Sequence, residues 1–217
     1  MTDNKGKRMD LYGYFRSSAS YRVRIGLNLK GLSYNYLPVN LVKGDQHSEQ
    51  YRQLNPQGLL PTLNDGDISL TQSMAILEWL EETHPEPALL PRDAEARAHI
   101  RALAQSIASD IQPLQNLRVL KYLVSEFKVT EEQKIQWIQH WIHLGFAALE
   151  KQLEPAPFAA GDTPGLFECC LLPQVYNAER FGMDTNQYPK IQKITQACNE
   201  LAAFIDAHPE KQPDSTI

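Results

Sequence analysis

The stretch Arg16-Ser17-Ser18-Ala19-Ser20-Tyr21-Arg22-Val23-Arg24 holds the side chains best suited to chemistry. An apolar run, Leu11 to Phe15, precedes it and reads as a strand. Val23, Ile25, Leu27 and Leu29 follow as the apolar side of a helix that Gly31 closes. A serine pair where a strand turns into a helix puts hydroxyls beside the unpaired N–H groups of the first helical turn. Those donors and the helix macrodipole favour an anion at that end. Arg16, Arg22 and Arg24 crowd the same junction. Taken alone, the stretch reads first as an ordinary serine cap on a surface helix.

The elements around it give that junction a context. Tyr34 to Leu41 reads as a second strand, the segment Lys43 to Ser48 as a loop and Glu49 to Leu54 as a short helix. Asn55-Pro56-Gln57-Gly58 is a turn signal. Pro61, in Leu59-Leu60-Pro61-Thr62-Leu63, belongs at a strand start or edge because it has no N–H to donate. Asp65-Gly66 predicts a hairpin back through Ile68 to Leu70. Gln72-Ser73 then opens a helix with Ile76, Leu77 and Leu80 on its apolar face. This order predicts a small mixed sheet with helices on its faces.

Pro85, Pro87 and Pro91 break the pattern, so residues 84–92 read as a linker between a first domain, 9–83, and a helical second domain, 93–214. Asp93 caps a long helical run through Leu103, Ile107, Ile111 and Leu117 to Val124, with a kink expected at Pro113. Thr130 to Gln133 forms a capping box for the next helix, whose buried stripe is Ile135, Ile138, Ile142, Phe146 and Leu149. Leu166 to Tyr176 predicts a buried helix containing Pro173, and Lys190 to Ala207 a last one.

Composition narrows the class. The chain has 217 residues, 42% hydrophobic and 22% charged, enough for a packed core. A net charge of -5 argues against nucleic acid as a bulk electrostatic partner. No apolar run approaches the ~18–20 residues that span a bilayer, so no membrane partner is expected. Met1 to Arg8 is polar and reads as a loose tail rather than a secretory signal. Three cysteines, Cys169, Cys170 and Cys198, make no disulfide framework and read as small buried hydrophobes in a reducing, cytoplasmic setting. His140 and His143 lie three apart on a helix, but a third ligand is lacking and no metal is expected. Trp79, Trp137 and Trp141 read as packing residues.

Five ordered segments narrow it further: YFRSSASYRVRI at 14–25, NPQGLLPTL at 55–63, QSMAILEWLE at 72–81, DIQPLQNLRVL at 110–120 and LPQVYNAERF at 172–181. With them the chain resembles the glutathione transferase superfamily and, within it, the zeta class, known for maleylacetoacetate isomerase activity. The resemblance covers about residues 9 to 214, and the ending QPDST at 212–216 fits it. It implies an α+β, thioredoxin-like first domain with a mixed four-stranded sheet, an all-α second domain, glutathione as cofactor and a homodimer. Site residues carry over position by position. Leu60-Pro61 is implied as a cis-proline step that presents the Leu60 backbone to the cysteinyl part of glutathione. Gln72 and Ser73 are implied to hold the γ-glutamyl carboxylate, and Gln46, with His47 as its rival, to face the glycyl end. Gln112, Asn116, Leu117 and Arg118 are implied to help bind from the second domain. Ser17 is the first choice to stabilise the glutathione thiolate and Ser18 the alternative. Arg16 and Arg180 are the candidates for the carboxylates of a small dicarboxylic diketo acid. Without the resemblance, Arg180 reads equally as an ion pair with Glu179 or another acid. Arg22 and Arg24 are assigned to structure or the site rim.

Two positions depart from the family pattern. Ala19 stands where the class signature has cysteine, so the reactive thiol must come from glutathione. Gly165 and Glu168 stand where the class has a threonine–aspartate capping box; glycine is still an acceptable cap, and Glu168 is long enough to reach back. The resemblance implies isomerisation of maleylacetoacetate to fumarylacetoacetate in tyrosine and phenylalanine breakdown. Maleylpyruvate isomerisation, transferase action on α-halo acids, and a non-catalytic glutathione-binding interaction protein are the alternatives.

Overall fold

The computed structural model describes residues 8–217, and the reading of Met1 to Arg8 as a loose tail lies, but for Arg8, outside them. The chain divides into two units: residues up to Leu89 together with Leu201–Ile217, and Leu90–Glu200.

The first unit is built on β1 (Met9–Gly13), α1 (Ser18–Leu29), β2 (Tyr34–Pro38), α2 (Glu49–Leu54), β3 (Thr62–Asp65), β4 (Ile68–Thr71) and α3 (Ser73–Thr83). The four-stranded sheet has the order β2-β1-β3-β4. β1 runs parallel to β2 and antiparallel to β3, and β3 pairs with β4 through the predicted hairpin. The mixed sheet expected from the pattern is therefore present. Its core joins Met9 and Leu11 of β1 to Val23 and Leu27 of α1, Leu63 of β3, and Ile76 and Leu80 of α3. Each such side chain contributes about 1.5–3 kcal/mol by leaving water.

α1 departs from the amphipathic surface helix of the sequence reading. Every residue from Ser20 to Leu27 is buried. α3 covers one side of the helix, and α9 (Ala202–Ala207) packs on it as well, within the same unit. Arg24 Nε donates to Ala207 O at 2.9 Å, and Asn28, one turn on, donates through Nδ2 to Ala203 O at 2.9 Å. The segment from Leu201 on thus belongs to the first unit, not to a second domain running to 214. The last predicted helix is correspondingly two, α8 (Pro189–Asn199) and α9.

The second unit begins with α4 (Ala94–Gln105), capped by Asp93, whose side chain accepts from Ala96 N. The long run expected through Val124 breaks earlier than Pro113. A π turn at Ser106–Ile111 and a 3-10 turn at Gln112–Gln115 lead into α5 (Leu117–Phe127). Proline cannot donate to the carbonyl four residues back, so the ladder widens before it. Ile111 then seats against Gly145 of α6 (Glu131–Gln152), where any Cβ would collide with it. The Thr130 capping box forms as expected. α7 (Leu166–Arg180) runs one turn beyond the predicted Tyr176 and so ends on Arg180. At its start Gly165 has no side chain to contribute. Buried Glu168 does reach back, accepting from Gly165 N and Ala159 N at 2.8 Å each. Burial pushes its carboxyl pKa up, and the backbone donors act against that rise.

Lys30 closes the first unit. Its buried ammonium donates to Glu81 Oε2 (2.9 Å), His84 O (2.6 Å) and Pro87 O (2.9 Å), and Glu81 also accepts from Leu89 N (2.8 Å). Removing one member of such a pair strands a buried charge. Glu81→Ala should lower stability by about 3–5 kcal/mol, measured by urea unfolding, while Lys30→Met with Glu81→Leu should recover part of it, the rest being the cost of the unpaired His84, Pro87 and Leu89 backbone groups. Equal losses in the single and double variants would contradict this account.

Candidate active site

One row of the sheet gathers the first unit's candidates. Tyr12 pairs with Thr62, and Thr62 pairs with Thr71. Just beyond Tyr12 the chain leaves β1 for the turn before α1. Just before Thr62 it enters β3 through the cis Leu60–Pro61 peptide. Just after Thr71 it passes through Gln72 into α3. β2 ends here too, because Gly13 pairs with Pro38, and it leads to the segment carrying Gln46. The N-termini of α1 and α3 therefore share one end of one sheet. Both supply unpaired N–H groups and positive dipole ends there.

The first of these ends is organised by Ser17. Its N–H donates to Tyr14 O (2.9 Å), closing a turn through Phe15 and Arg16. Its backbone is extended, and its Oγ accepts from Ser20 N at 3.2 Å, the geometry of an N-cap. That bond uses a lone pair and leaves the hydroxyl proton to donate. Ser18 is the first helical residue. Arg16, Ser17, Ser18 and Ala19 are all half-buried. No acidic residue occupies the first turn. The Arg16 guanidinium lies over the Phe15 ring, 4.9 Å from its centroid.

The second end carries backbone strain. Gln72 has φ +68°, a region costly for a residue with a Cβ, and its Nε2 donates to Gln57 Oε1 at 3.0 Å. Ser73 is buried, and its Oγ accepts from Arg22 Nη1 at 3.3 Å. Arg22 is thus a strut from α1 to Ser73, a form of the structural role expected of it from the sequence. The approach to Leu60 is held likewise: Leu59 O accepts from Tyr51 Oη (2.7 Å) and Asn55 Nδ2 (2.8 Å). Asn55 Oδ1 accepts from Gln57 N (3.1 Å), so the predicted turn also supports Gln72. Gln46 is buried and its Nε2 lies 3.1 Å from Nε2 of the exposed His47. Its Oε1 is buried without a hydrogen-bond partner.

The remaining candidates belong to the second unit. Gln112 lies in the 3-10 turn. Asn116 caps α5, its Oδ1 accepting from Arg118 N at 3.1 Å. Leu117 and Arg118 open that helix and are exposed. Arg180 is exposed at the end of α7, with Nη2 on Asn177 Oδ1 at 2.8 Å and its guanidinium 4.2 Å from the Phe181 centroid. Asn177 Nδ2 in turn donates to Gln115 Oε1, and both residues are buried. This relay ties Arg180 to the segment holding Gln112 and Asn116. Gln115 and Asn177 lie inside two of the five family segments but take no role from the sequence reading. Glu179, the alternative partner, accepts from Thr185 Oγ1 at 3.3 Å. His143 Nδ1 lies 2.6 Å from Tyr188 Oη, and His140 meets Trp141 edge-on. Among the described residues no three His, Cys, Asp or Glu side chains are grouped to hold a metal. Among the same residues no helix is long and apolar enough to cross a membrane.

Comparison with known proteins places this geometry in a lineage. Residues 11–88 match the family model described as glutathione S-transferase, N-terminal domain. Maleylacetoacetate isomerase of Rattus norvegicus is 48% identical over 209 residues, covering 94% of each chain. The holo structure of a maleylpyruvate isomerase, described as a bacterial zeta-class glutathione S-transferase, superposes with a TM-score of 0.93 at 46% identity, covering 95% of this chain and 100% of the other. Maleylacetoacetate isomerase from Anaeromyxobacter dehalogenans 2CP-1, solved with glutathione in its active site, gives a TM-score of 0.86 at 46% identity, with 95% and 97% covered.

Gly58 sets the position of Gln46. It has φ +62°, and a Cβ there would lie 2.9 Å from Gln46 O and 3.2 Å from His47 Nδ1. Gly58→Ala should cost at least about 1–2 kcal/mol from the left-handed backbone alone. Thermal unfolding should show the loss, and the backbone amide resonances of Gln46 and His47 should shift. Unchanged resonances would mean that this close approach is not what seats Gln46.

Proposed function

This chain belongs to the zeta-class glutathione transferases, and on that premise we propose that it is the glutathione-dependent isomerase that converts maleylacetoacetate to fumarylacetoacetate in tyrosine and phenylalanine breakdown. The observation that carries the proposal is the meeting of a serine-capped helix N-terminus, a second helix N-terminus and the cis Leu60–Pro61 step at one end of the sheet. That end fits glutathione, an anionic peptide thiol. α3 and the Ser73 hydroxyl suit a carboxylate, with Gln72 beside them. The Leu60 backbone is assigned to the cysteinyl part. Gln46, which has one amide atom without a partner, is assigned to the glycyl end ahead of His47.

Bound glutathione supplies the thiol whose addition and departure let the substrate's cis double bond rotate, and it is returned unchanged. The chain's own contribution is electrostatic. A free thiol titrates near ~8.5, so little is thiolate at neutral pH. The Ser17 hydroxyl proton and the first N–H groups of α1 stabilise the ionised form and lower that value. Ser17 is preferred over Ser18 because the cap bond fixes its side chain. Ala19 offers no thiol, which assigns the nucleophile to the cofactor. Arg16 is assigned to substrate carboxylate binding and to the negative charge that develops on the substrate. In the second unit, Arg180, held by Asn177, is assigned the same kind of work, and Gln112, Asn116, Leu117 and Arg118 are carried over as binding residues.

Maleylpyruvate is the second substrate reading, supported by the TM-score of 0.93 to a maleylpyruvate isomerase. The proposed location is the cytoplasm, consistent with three buried free cysteines, and the proposed assembly is the homodimer that the family resemblance implies.

An absorbance assay with each acid, with and without glutathione, tests the proposal. The expected result is loss of the cis acid that requires glutathione and leaves the total thiol unchanged; the faster acid is the substrate. Ser17→Ala should lower kcat about a hundredfold, as loss of one donor to a developing anion does. Arg16→Ala and Arg180→Ala should raise KM for the acid. Turnover of neither acid, with glutathione bound, would overturn the isomerase. Thiol consumption with α-halo acids would then indicate transferase chemistry, and its absence an interaction protein.

A further inference from the structure

We propose that Asp214 is a positioning residue whose carboxylate, acting with the Arg24 guanidinium, holds the Phe15 peptide from both sides and so fixes the turn that presents Arg16 and Ser17. Asp214 Oδ2 accepts from Phe15 N at 3.0 Å, and Arg24 Nη2 donates to Phe15 O at 3.0 Å. Phe15 is the second residue of the turn closed by Ser17 N and Tyr14 O. Both of its backbone polar groups are therefore held by residues outside the turn, one from α1 and one from the chain's C-terminal segment.

The two clamping groups are themselves fixed. Arg24 is fully buried, anchored through Nε to Ala207 O, with its guanidinium 5.0 Å from the Tyr21 ring centroid. Asp214 also accepts from Tyr36 Oη at 3.4 Å. Tyr36 reaches it by lying across Gly13, where a Cβ would come within 2.8 Å of the ring. The segment is folded back by Gln212, whose Nε2 donates to Asp206 O and His208 O at 3.0 Å each, and by Ser215 N on Gln212 O at 3.0 Å. A C-terminal carboxylate is thus built into the support of a turn some 200 residues earlier. The consequence for catalysis rests on the glutathione reading above. A turn that drifts moves the Ser17 hydroxyl away from the thiolate it stabilises, and positioning errors of this kind cost rate steeply.

Asp214→Ala and Asp214→Asn separate positioning from general stability. Amide hydrogen exchange, which needs no ligand, is read first. In the alanine variant the amides of residues 15–18 should exchange at least about tenfold faster, with α3 and α6 unchanged. In the same variant the ultraviolet titration of bound glutathione should move up by about one pH unit, and kcat should fall about tenfold with a smaller change in KM. The asparagine variant keeps an acceptor of the same shape and should stay within about threefold of wild type. Asp214→Ser repeats the measurement if the alanine variant does not fold. Exchange at 15–18 and thiol titration both unchanged, even with a lower Tm, would overturn the proposal and leave Asp214 merely structural. A wild-type thiol that titrates like free glutathione would overturn the functional reading instead, and the exchange of residues 15–18 would then decide the positioning alone.

Discussion

The pairing of Tyr12 with Thr62, and of Thr62 with Thr71, is the constraint on which the first unit's site depends. It brings three chain reversals to one end of one sheet, although they are far apart in sequence. A slip of one residue in either ladder would turn Leu11 or Leu63 out of the core and move the cis Leu60–Pro61 step away from the Ser17 cap. The register is held by apolar contacts on one face, Leu11 and Leu63 against Val23, Leu27, Ile76 and Leu80. The same contacts dock α1 and α3, so packing and the alignment of the two helix N-termini share one cause.

α1 carries an unusual interior load. Arg22 and Arg24, with Lys30 at the helix's C-cap, all have buried side chains: Arg22 bonds to Ser73 at the start of α3, Arg24 to Ala207 of α9, and Lys30 to Glu81 near the end of α3 and to the linker carbonyls. Desolvation lowers the pKa of Arg24, against the attraction of Tyr36, Tyr34, Tyr21 and Asp214. Burial pushes the Tyr34 and Tyr36 hydroxyls up, and Tyr36 donates to Asp214. Buried cations are weak sources of stability compared with apolar packing. What they provide here is specificity of placement, because each ties the helix to a particular side chain or carbonyl at a fixed distance.

The second unit positions its candidates by interrupting a helix rather than by a sheet register. The π turn at Ser106–Ile111 and the 3-10 turn at Gln112–Gln115 redirect the chain so that Asn116 can cap α5. Gln115 then meets Asn177 inside the unit, and Asn177 bonds Arg180 at the C-terminal end of α7. The extra turn of α7 beyond Tyr176 is what brings Arg180 onto the helix.

Much of this was legible in the residues because its causes are local. Ser17, Asp93 and Thr130 act as caps, Asp65-Gly66 as a hairpin turn, and the prolines after Thr83 as the end of the pattern; each depends on bonds within a few residues. The five ordered segments determined the family, and with it the candidate roles. Tertiary structure decided what depends on distant partners. The run Arg22-Val23-Arg24-Ile25 reads as half solvent-exposed until α3 and α9 cover it. The C-terminal segment reads as the end of a second domain until Arg24, Asn28 and Asp214 tie it to the first unit. Gln115, Asn177 and Asp214 are ordinary polar residues in sequence. The hydrogen bonds that join Asn177 to Gln115 and Phe15 to Asp214 span 62 and 199 positions, which no periodicity or local propensity records.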